Sequence, residues 1–400
     1  MFGVRATSIF AAVVLSCSSP ATAEPKYDTG ASDTEIKIGQ TAAYSGPVSA
    51  WSVSSRVEVA YMRMLNEKGG VNGRKINLIS LDDAYSPPKT VEQTRRLVES
   101  DGVLFIFSSL GAASNTAVHK YLNARQIPQL FPSSGASKWA DPQHFPWTMG
   151  WMPSFSREGF LYGKYVLANK PDAKIAVFYQ NDDFGKDFVE GFERALGAEA
   201  SKLIVSRTNY QTTDPTVDSQ VVSMKSSGAN VLLDASSPKF AAQAIKRMGE
   251  IGWKPMHFLA SPSAQIDTVF KPAGLDHSKG IISATFLKDP ASPALQDDQG
   301  VKDYMSFMAK YASELDPQSQ AAVWAYSAAE TIVQVIKQCG DDLTRENVMR
   351  QAANLKDLQI SMIYPGIKIN TSPTDYEPLE DAFLQEFDGS SMKLLDAPGR

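Results

Sequence analysis

From Ile36 to Ala260 the chain alternates between short apolar runs of strand length and segments whose apolar residues recur at helical spacing. Ile36-Lys37-Ile38-Gly39-Gln40 reads as a strand, and Val53, Val57, Ala60, Tyr61, Met64 and Leu65 after it follow the 3.6-residue period of an amphipathic helix. The same scheme continues with a β run over 75–81, a helix over 89–99, a buried strand over 103–107 and a helix over 114–126. Trp151-Met152-Pro153-Ser154 introduces a helix over 155–167, and the alternation restarts: strands over 174–179, 202–206, 230–234 and 256–260, with helices over 184–196, 216–227 and 239–251. Strands that alternate with helices form parallel sheets covered on both faces, and right-handed crossovers make each series a doubly wound, Rossmann-like α/β lobe. Two lobes are therefore expected in the 400 residues. Beyond about residue 285 the pattern turns helical, over 299–311, 321–338 and 345–355, with a β-like piece at 366–370. Three helices in a row cannot extend a βαβ series, so they are expected to pack back on an existing lobe.

The first 23 residues read as a secretory leader. Arg5 precedes the apolar run Ile9 to Leu15, and Ala21-Thr22-Ala23 supplies the small side chains of a cleavage site before Glu24. The apolar run is far shorter than the ~20 residues a bilayer span needs. Val14-Leu15-Ser16-Cys17 loosely resembles a lipobox, a second and less favoured processing route that would anchor the chain through Cys17. After cleavage at Ala23, Cys339 would be the only cysteine, which excludes an intramolecular disulfide. Its setting, Val335-Ile336-Lys337-Gln338-Cys339-Gly340, reads as the apolar end of a helix rather than as a reactive thiol. A net charge of −5 argues against nucleic acid and anionic lipid as partners.

Doubly wound sheets bind ligands beyond the carboxyl ends of their strands, where loops meet helix N-termini. In the first half these loops are Ala43-Tyr44-Ser45-Gly46-Pro47, Ser108-Ser109-Leu110-Gly111-Ala112-Ala113 and Pro132-Ser133-Ser134-Gly135-Ala136. They are uncharged and rich in hydroxyls and glycine, a neutral cradle suited to a carboxylate. The second half offers Asn181-Asp182-Asp183-Phe184, Asp234-Ala235-Ser236 and Ala260-Ser261-Pro262-Ser263, so a cleft between the lobes can be lined from both sides. Asp82-Asp83 and Asp182-Asp183 read as helix caps and turn residues rather than as acid/base pairs. Phosphate-loop, dinucleotide, nucleophile-elbow and zinc motifs are absent from the sequence, and His119, His144, His257 and His277 lack metal-ligand spacing. A site without catalytic machinery points to a binding protein rather than an enzyme, with no metal or cofactor expected. An exported hydrolase or transferase using Asp182, Asp183 or His144 is the rival reading.

Several stretches together resemble the periplasmic substrate-binding proteins of ABC transporters in the branched-chain amino acid group. They are Ile36-Lys37-Ile38-Gly39 with Ser45-Gly46-Pro47, the run from Asn66 to Ile76 (NEKGGVNGRKI), Leu81-Asp82-Asp83 with Pro87, and Lys174-Ile175-Ala176-Val177 ahead of Asp183-Phe184-Gly185. The resemblance implies a type I fold of two lobes joined by a three-strand hinge, with lobe one over 33–152 and 286–358 and lobe two over 153–285 and 359–388. It implies a monomeric periplasmic protein that closes on a small ligand and docks on a membrane permease, or a sensory subunit reporting to a receptor. It also implies contacts of a ligand carboxylate with Ser108, Ser109, Leu110 and Gly111 and with Ser133, Ser134, Gly135 and Ala136. Phe184 falls where relatives carry a Tyr. Relatives that bind amino acids place an acid in lobe two to meet the ammonium, and the stretch around Ser261 has none, although Asp234 lies within reach of the same loops. The expected ligand is thus a carboxylate lacking an α-amino group, aromatic or otherwise organic, with a branched-chain amino acid as the alternative. Tyr44, Trp51, Trp151 and Phe184 are its candidate apolar walls.

Overall fold

The computed structural model describes residues 1–3 and 25–395. The expected cleavage site at Ala23 and Cys17 lie outside the described residues. Two main sheets carry the fold. The first orders five parallel strands as Lys75–Asp82, Glu35–Ala42, Phe105–Phe107, Gln129–Leu130 and Thr148–Met149. The second orders Ile204–Tyr210, Ile175–Gln180, Val231–Ala235, Met256–Leu259 and Ile282–Thr285, again parallel, and adds the antiparallel strands Phe383–Phe387 and Met392–Leu394 at one edge. Counted along the chain, the parallel strands of both sheets run 2-1-3-4-5, the doubly wound order whose crevice opens between the ends of strands 1 and 3. Val231–Ala235 is buried at every position because helices cover both faces of its sheet.

Between the first strand and the second, the helix Ser52–Glu67 buries Val57, Ala60, Tyr61 and Met64, the apolar stripe visible in the sequence. Gly69 and Gly70 end it at φ +104° and +79°, and a Cβ on Gly70 would lie 1.9 Å from the Arg74 carbonyl oxygen, so no other residue makes this turn. Asn66 then clips the returning chain with both ends of its amide: Nδ2 donates to the Ile76 carbonyl at 2.7 Å and Oδ1 accepts the Ile76 N–H at 2.8 Å.

The C-terminal helices Gln299–Tyr311, Gln320–Cys339 and Arg345–Ala352 join the core of the first sheet, where Tyr61 meets Phe307 and Tyr326 at 5.8 and 5.1 Å. Met362, Ile363, Ile369, Tyr376 and Leu379 share that core, so the chain stays with the first sheet well past residue 359 and enters the second only near Phe383. It thus passes between the sheets three times, at 150–154, near 286–288 and near 380–382. A short parallel pairing of Lys26–Tyr27 with Asp342–Leu343 ties the start of the chain to this helical region.

Two local expectations differ. The helix expected over 89–99 starts at Pro87, a residue preorganised for a first turn, and widens into a π turn at Arg96–Ser100. The β-like piece at 366–370 makes only the bridge between Leu358 and Ile369, because Pro365-Gly366 and Pro373 leave too short a run to pair. Among the described residues no helix is long and apolar enough to cross a membrane.

Candidate functional site

Loops at the carboxyl ends of both sheets enclose a cavity of about 840 Å3, its mouth included. The first sheet's side contributes Trp51 and Ser54 at the start of the helix Ser52–Glu67, Tyr85, Leu110-Gly111-Ala112, and Ser133-Ser134. The second contributes Phe155, Phe184, Ser261-Pro262 and Ala284. Met152, Phe286 and Leu287 from the crossings, with Gln320 and Trp324 from the helix Gln320–Cys339, close the hinge end. The walls are aromatic: the Trp51 ring lies 6.0 Å from Tyr85 and 5.7 Å from Phe184, and Phe184 meets Phe155 edge-on at 5.1 Å. No lining residue carries a charged side chain.

One polar feature fits an anion. The helix Ala112–Ala124 begins at the cavity wall after Gly111, and no side chain caps it. Its first-turn N–H groups, which no intrahelical carbonyl can satisfy, and the positive end of its dipole are therefore left for water or a ligand. Gly111 at φ +93° makes the approach possible, since a Cβ there would stand 2.2 Å from the Tyr85 ring.

The lobes are closed on each other. Trp51 Nε1 donates across the cleft to the Pro262 carbonyl at 3.0 Å. Asp183 Oδ2 accepts from Thr116 Oγ1 at 2.7 Å and from Lys138 Nζ at 2.9 Å. Asp187 accepts both the N–H of Ser137 at 3.0 Å and its hydroxyl at 2.6 Å, together with the Ser156 N–H at 3.2 Å. These carboxylates form a clasp outside the cavity, on the first turns of the helix Asp183–Leu196.

Of the residues singled out from sequence, Trp51, Leu110, Gly111, Ser133, Ser134, Phe184 and Ser261 line the cavity. The others do not. Ser108 and Ser109 turn their hydroxyls into the fold, where Ser108 donates to Glu58 and Ser109 accepts the Thr41 N–H at 3.0 Å. Gly135 and Ala136 lie behind Phe155, whose N–H donates to the Gly135 carbonyl at 2.6 Å. Tyr44 faces outward, its hydroxyl 2.7 Å from Ser80 Oγ and its ring beneath Arg56. Asp234 is fully buried, its carboxylate held by Ser236 and by His257 Nε2 at 3.2 Å, so it offers no charge to the cleft. Trp151 is a core residue that donates to Thr331 Oγ1 at 3.0 Å. Asp82 accepts the Ala84 N–H and Asp182 the Phe184 N–H, both at 3.0 Å, as turn and cap residues do. His144 is exposed and pairs with Asp141, so neither it nor Asp182 or Asp183 reaches the cavity.

Sequence reasoning missed Tyr85, Phe155, Phe286, Gln320 and Trp324. Tyr85 was the findable one, since it follows a strand end as the chosen loops do. Also missed were two buried acids. Glu58 sits beneath Ser108, bonded to Ser108 Oγ and Gln40 Nε2, and burial pushes its carboxyl up to about 8. Glu158 sits beneath Ser261, accepting its N–H at 2.8 Å and its hydroxyl at 2.7 Å, with Tyr162 as a third donor, and burial pushes it up to about 7.

A family model described as "Periplasmic binding protein" matches residues 35–391. An amino acid binding protein of Pseudomonas aeruginosa is 25% identical over 234 residues, 56% of this chain and 60% of that protein. The chain spans about six tenths of the length of such curated relatives. A branched chain amino acid ABC transporter structure from Thermus thermophilus with bound valine superposes with a TM-score of 0.81 at 18% identity, covering 92% of this chain and 97% of that one. A fatty acid ABC transporter substrate-binding protein from Thermomonospora curvata gives 0.78 at 19% identity, covering 93% and 94%. At such identities the likeness establishes the fold alone, two lobes of the type I periplasmic binding kind.

Proposed function

This chain belongs to the periplasmic binding protein family, and from that premise we propose that it captures a small organic acid with an aromatic or other apolar body and no α-ammonium group, and delivers it to an ABC importer. The observation that carries the reading is the cavity lining: aromatic walls and an uncapped helix N-terminus, with no charged side chain. A carboxylate can be held by first-turn N–H groups and the helix dipole. An ammonium has no counter-charge there, and burying one unpaired costs several kcal/mol. Leu110, Gly111, Ser133 and Ser134 form the carboxylate end in this reading, and Trp51, Tyr85, Phe155 and Phe184 enclose the body.

Lobe one comprises about 33–152 and 286–380, and lobe two about 153–285 with the strands after 382. Export by the leader, a monomeric state and docking of the closed form on a permease belong to the same proposal. Calorimetric titration with benzoate, phenylacetate, hexanoate, L-leucine and L-phenylalanine tests the ligand class. Binding of one of the three acids with silence from both amino acids is expected; tight L-leucine binding with no response to the acids overturns it.

A further inference from the structure

Five tryptophans are buried, and four of them give their indole N–H to an acceptor. Trp51 donates to Pro262 O at 3.0 Å, Trp139 to Ser134 Oγ at 3.2 Å, Trp151 to Thr331 Oγ1 at 3.0 Å and Trp253 to Ala229 O at 2.9 Å. Trp324 is the exception: it is 6% exposed, and its Nε1 has no hydrogen-bond partner in the protein. An indole N–H only donates, and a buried one without an acceptor is a position the fold leaves open at a cost. Trp324 lines the cavity together with Gln320, one helical turn earlier on the same face. Its ring packs edge-on against Trp151 at 5.7 Å, and Trp151 packs on Phe286 at 5.7 Å, so two of the crossings between the lobes hold it in place.

We propose that Trp324 is a ligand-reading residue: its indole N–H donates to an oxygen of the bound molecule at the hinge end of the cavity. Resting on the organic-acid reading above, this makes the ligand an acid with a second, uncharged acceptor oxygen, such as an ether, hydroxyl or oxo group, apart from the carboxylate at Ala112. Trp324 thereby selects among acids of equal size and apolarity.

The ring-substituted methoxybenzoates, each against the methylbenzoate of the same substitution, supply matched probes with and without the acceptor. At least one methoxy isomer is expected to bind the wild-type chain about tenfold more tightly than its methyl counterpart, and Trp324→Phe should erase that preference; the ratio within each matched pair is what is read, whatever the change in overall affinity. A preference that persists in Trp324→Phe, or no preference in any isomer, overturns the proposal. The failure of the ligand class is read separately, through the indole 15N–1H resonance that disappears in Trp324→Phe. Under saturation with the methoxybenzoate that binds best, this proton should move downfield and exchange more slowly, and with the matching methylbenzoate it should not; an unchanged resonance under the methoxy compound overturns the assignment. If none binds, the resonance of the free protein decides. An indole proton upfield of that of Trp151, which is bonded to Thr331, supports an open donor, and an equally downfield proton refutes it.

Discussion

Both lobes are built on the same 2-1-3-4-5 sheet, yet they present opposite chemistry where they meet. The first lobe's helix Ala112–Ala124 reaches the cavity uncapped behind Gly111. The second lobe's helix Asp183–Leu196 is closed by its own Asp182, and it turns Asp183 and Asp187 toward the partner lobe instead. A dipole left free attracts an anion; a dipole already neutralised cannot. One architecture therefore yields a lobe suited to holding a carboxylate and a lobe suited to clasping shut over it. The difference lies in a handful of residues at the strand ends rather than in the fold.

The sharpest way to break this division is at Trp51, which belongs to the holding lobe but touches the clasping one. Trp51→Ala removes the ring between Tyr85 and Phe184 and the bond to Pro262. Large aromatic truncations in packed settings cost about 3–5 kcal/mol, and here part of that loss falls on the closed form alone. Thermal melting should show a clear fall in stability, and titration with the acid that binds best should show affinity reduced by about a hundredfold or more.

Next in size is Asp187→Ala, which acts on the clasping lobe without touching the cavity. Asp187 accepts three bonds, two from Ser137 across the interface and one from Ser156. Charge-assisted bonds of this kind contribute about 1.5–3 kcal/mol each at most, and the open form loses only the two that span the lobes. The expected outcome is an affinity lowered by roughly thirtyfold through a shift toward the open state. Small-angle scattering should report a larger radius for the unliganded variant than for the wild type, converging under saturation. Unchanged scattering with unchanged affinity would mean that the clasp does not control closure.

The contrast between lobes also explains what the sequence disclosed and what it withheld. Alternating periodicity located most strands and helices of both sheets, because each element's apolar stripe is a local property, and the helix Gln299–Tyr311 matches its expected bounds to the residue; Thr148–Met149, Ile282–Thr285, Phe383–Phe387 and Met392–Leu394 are too short to show a period and went unread. Strand-end logic found Leu110, Gly111, Ser133, Ser134, Phe184 and Ser261 for the same reason. It could not tell which way a side chain points within a loop, so Ser108 and Ser109 were assigned to the cavity although their hydroxyls serve Glu58 and the Thr41 N–H. Trp324 and Gln320 escaped because an amphipathic helix does not reveal which of its buried faces meets the cleft. Glu158 escaped because its partner Ser261 is 103 residues away.

Proton binding distinguishes the two buried glutamates on a smaller scale. Both carboxyls are raised by burial, Glu58 to about 8 and Glu158 to about 7, above an ordinary value of 4.5. The folded chain therefore keeps protons that the unfolded chain releases, so stability present below about pH 4.5 is lost progressively as pH rises, up to about 7 for Glu158 and about 8 for Glu58. Each glutamate contributes a slope of roughly 1.4 kcal/mol per pH unit within its window. Glu58→Gln reproduces the protonated acid, with its carbonyl accepting from Gln40 and its amide donating to Ser108. It should match the wild type near pH 5 and exceed it in denaturant melts at pH 9. Glu158→Gln should do the same with a window that closes about one pH unit earlier. Identical pH profiles for wild type and Glu58→Gln would show that Glu58 is ionised in the fold.

The smallest effect is expected at Lys138, the only cation in the clasp. Its Nζ lies 2.9 Å from Asp183 Oδ2, but its side chain is 37% exposed and that of Asp183 35% exposed. Water and salt screen such a pair, which limits its contribution to about 0.2–1 kcal/mol. Asp183 also keeps the Thr116 hydroxyl when the lysine is gone. Lys138→Ala should therefore weaken ligand binding less than about fivefold, and the deficit should shrink as salt rises from 0.05 to about 0.5 M. Asp187→Ala removes a buried carboxylate bonded to a neutral hydroxyl and a backbone N–H rather than to an ammonium, so it should keep its larger deficit at every salt concentration. If salt instead abolishes both deficits alike, the clasp works by long-range attraction between the lobes, and the hydrogen bonds from Ser137 to Asp187 are not what holds them closed.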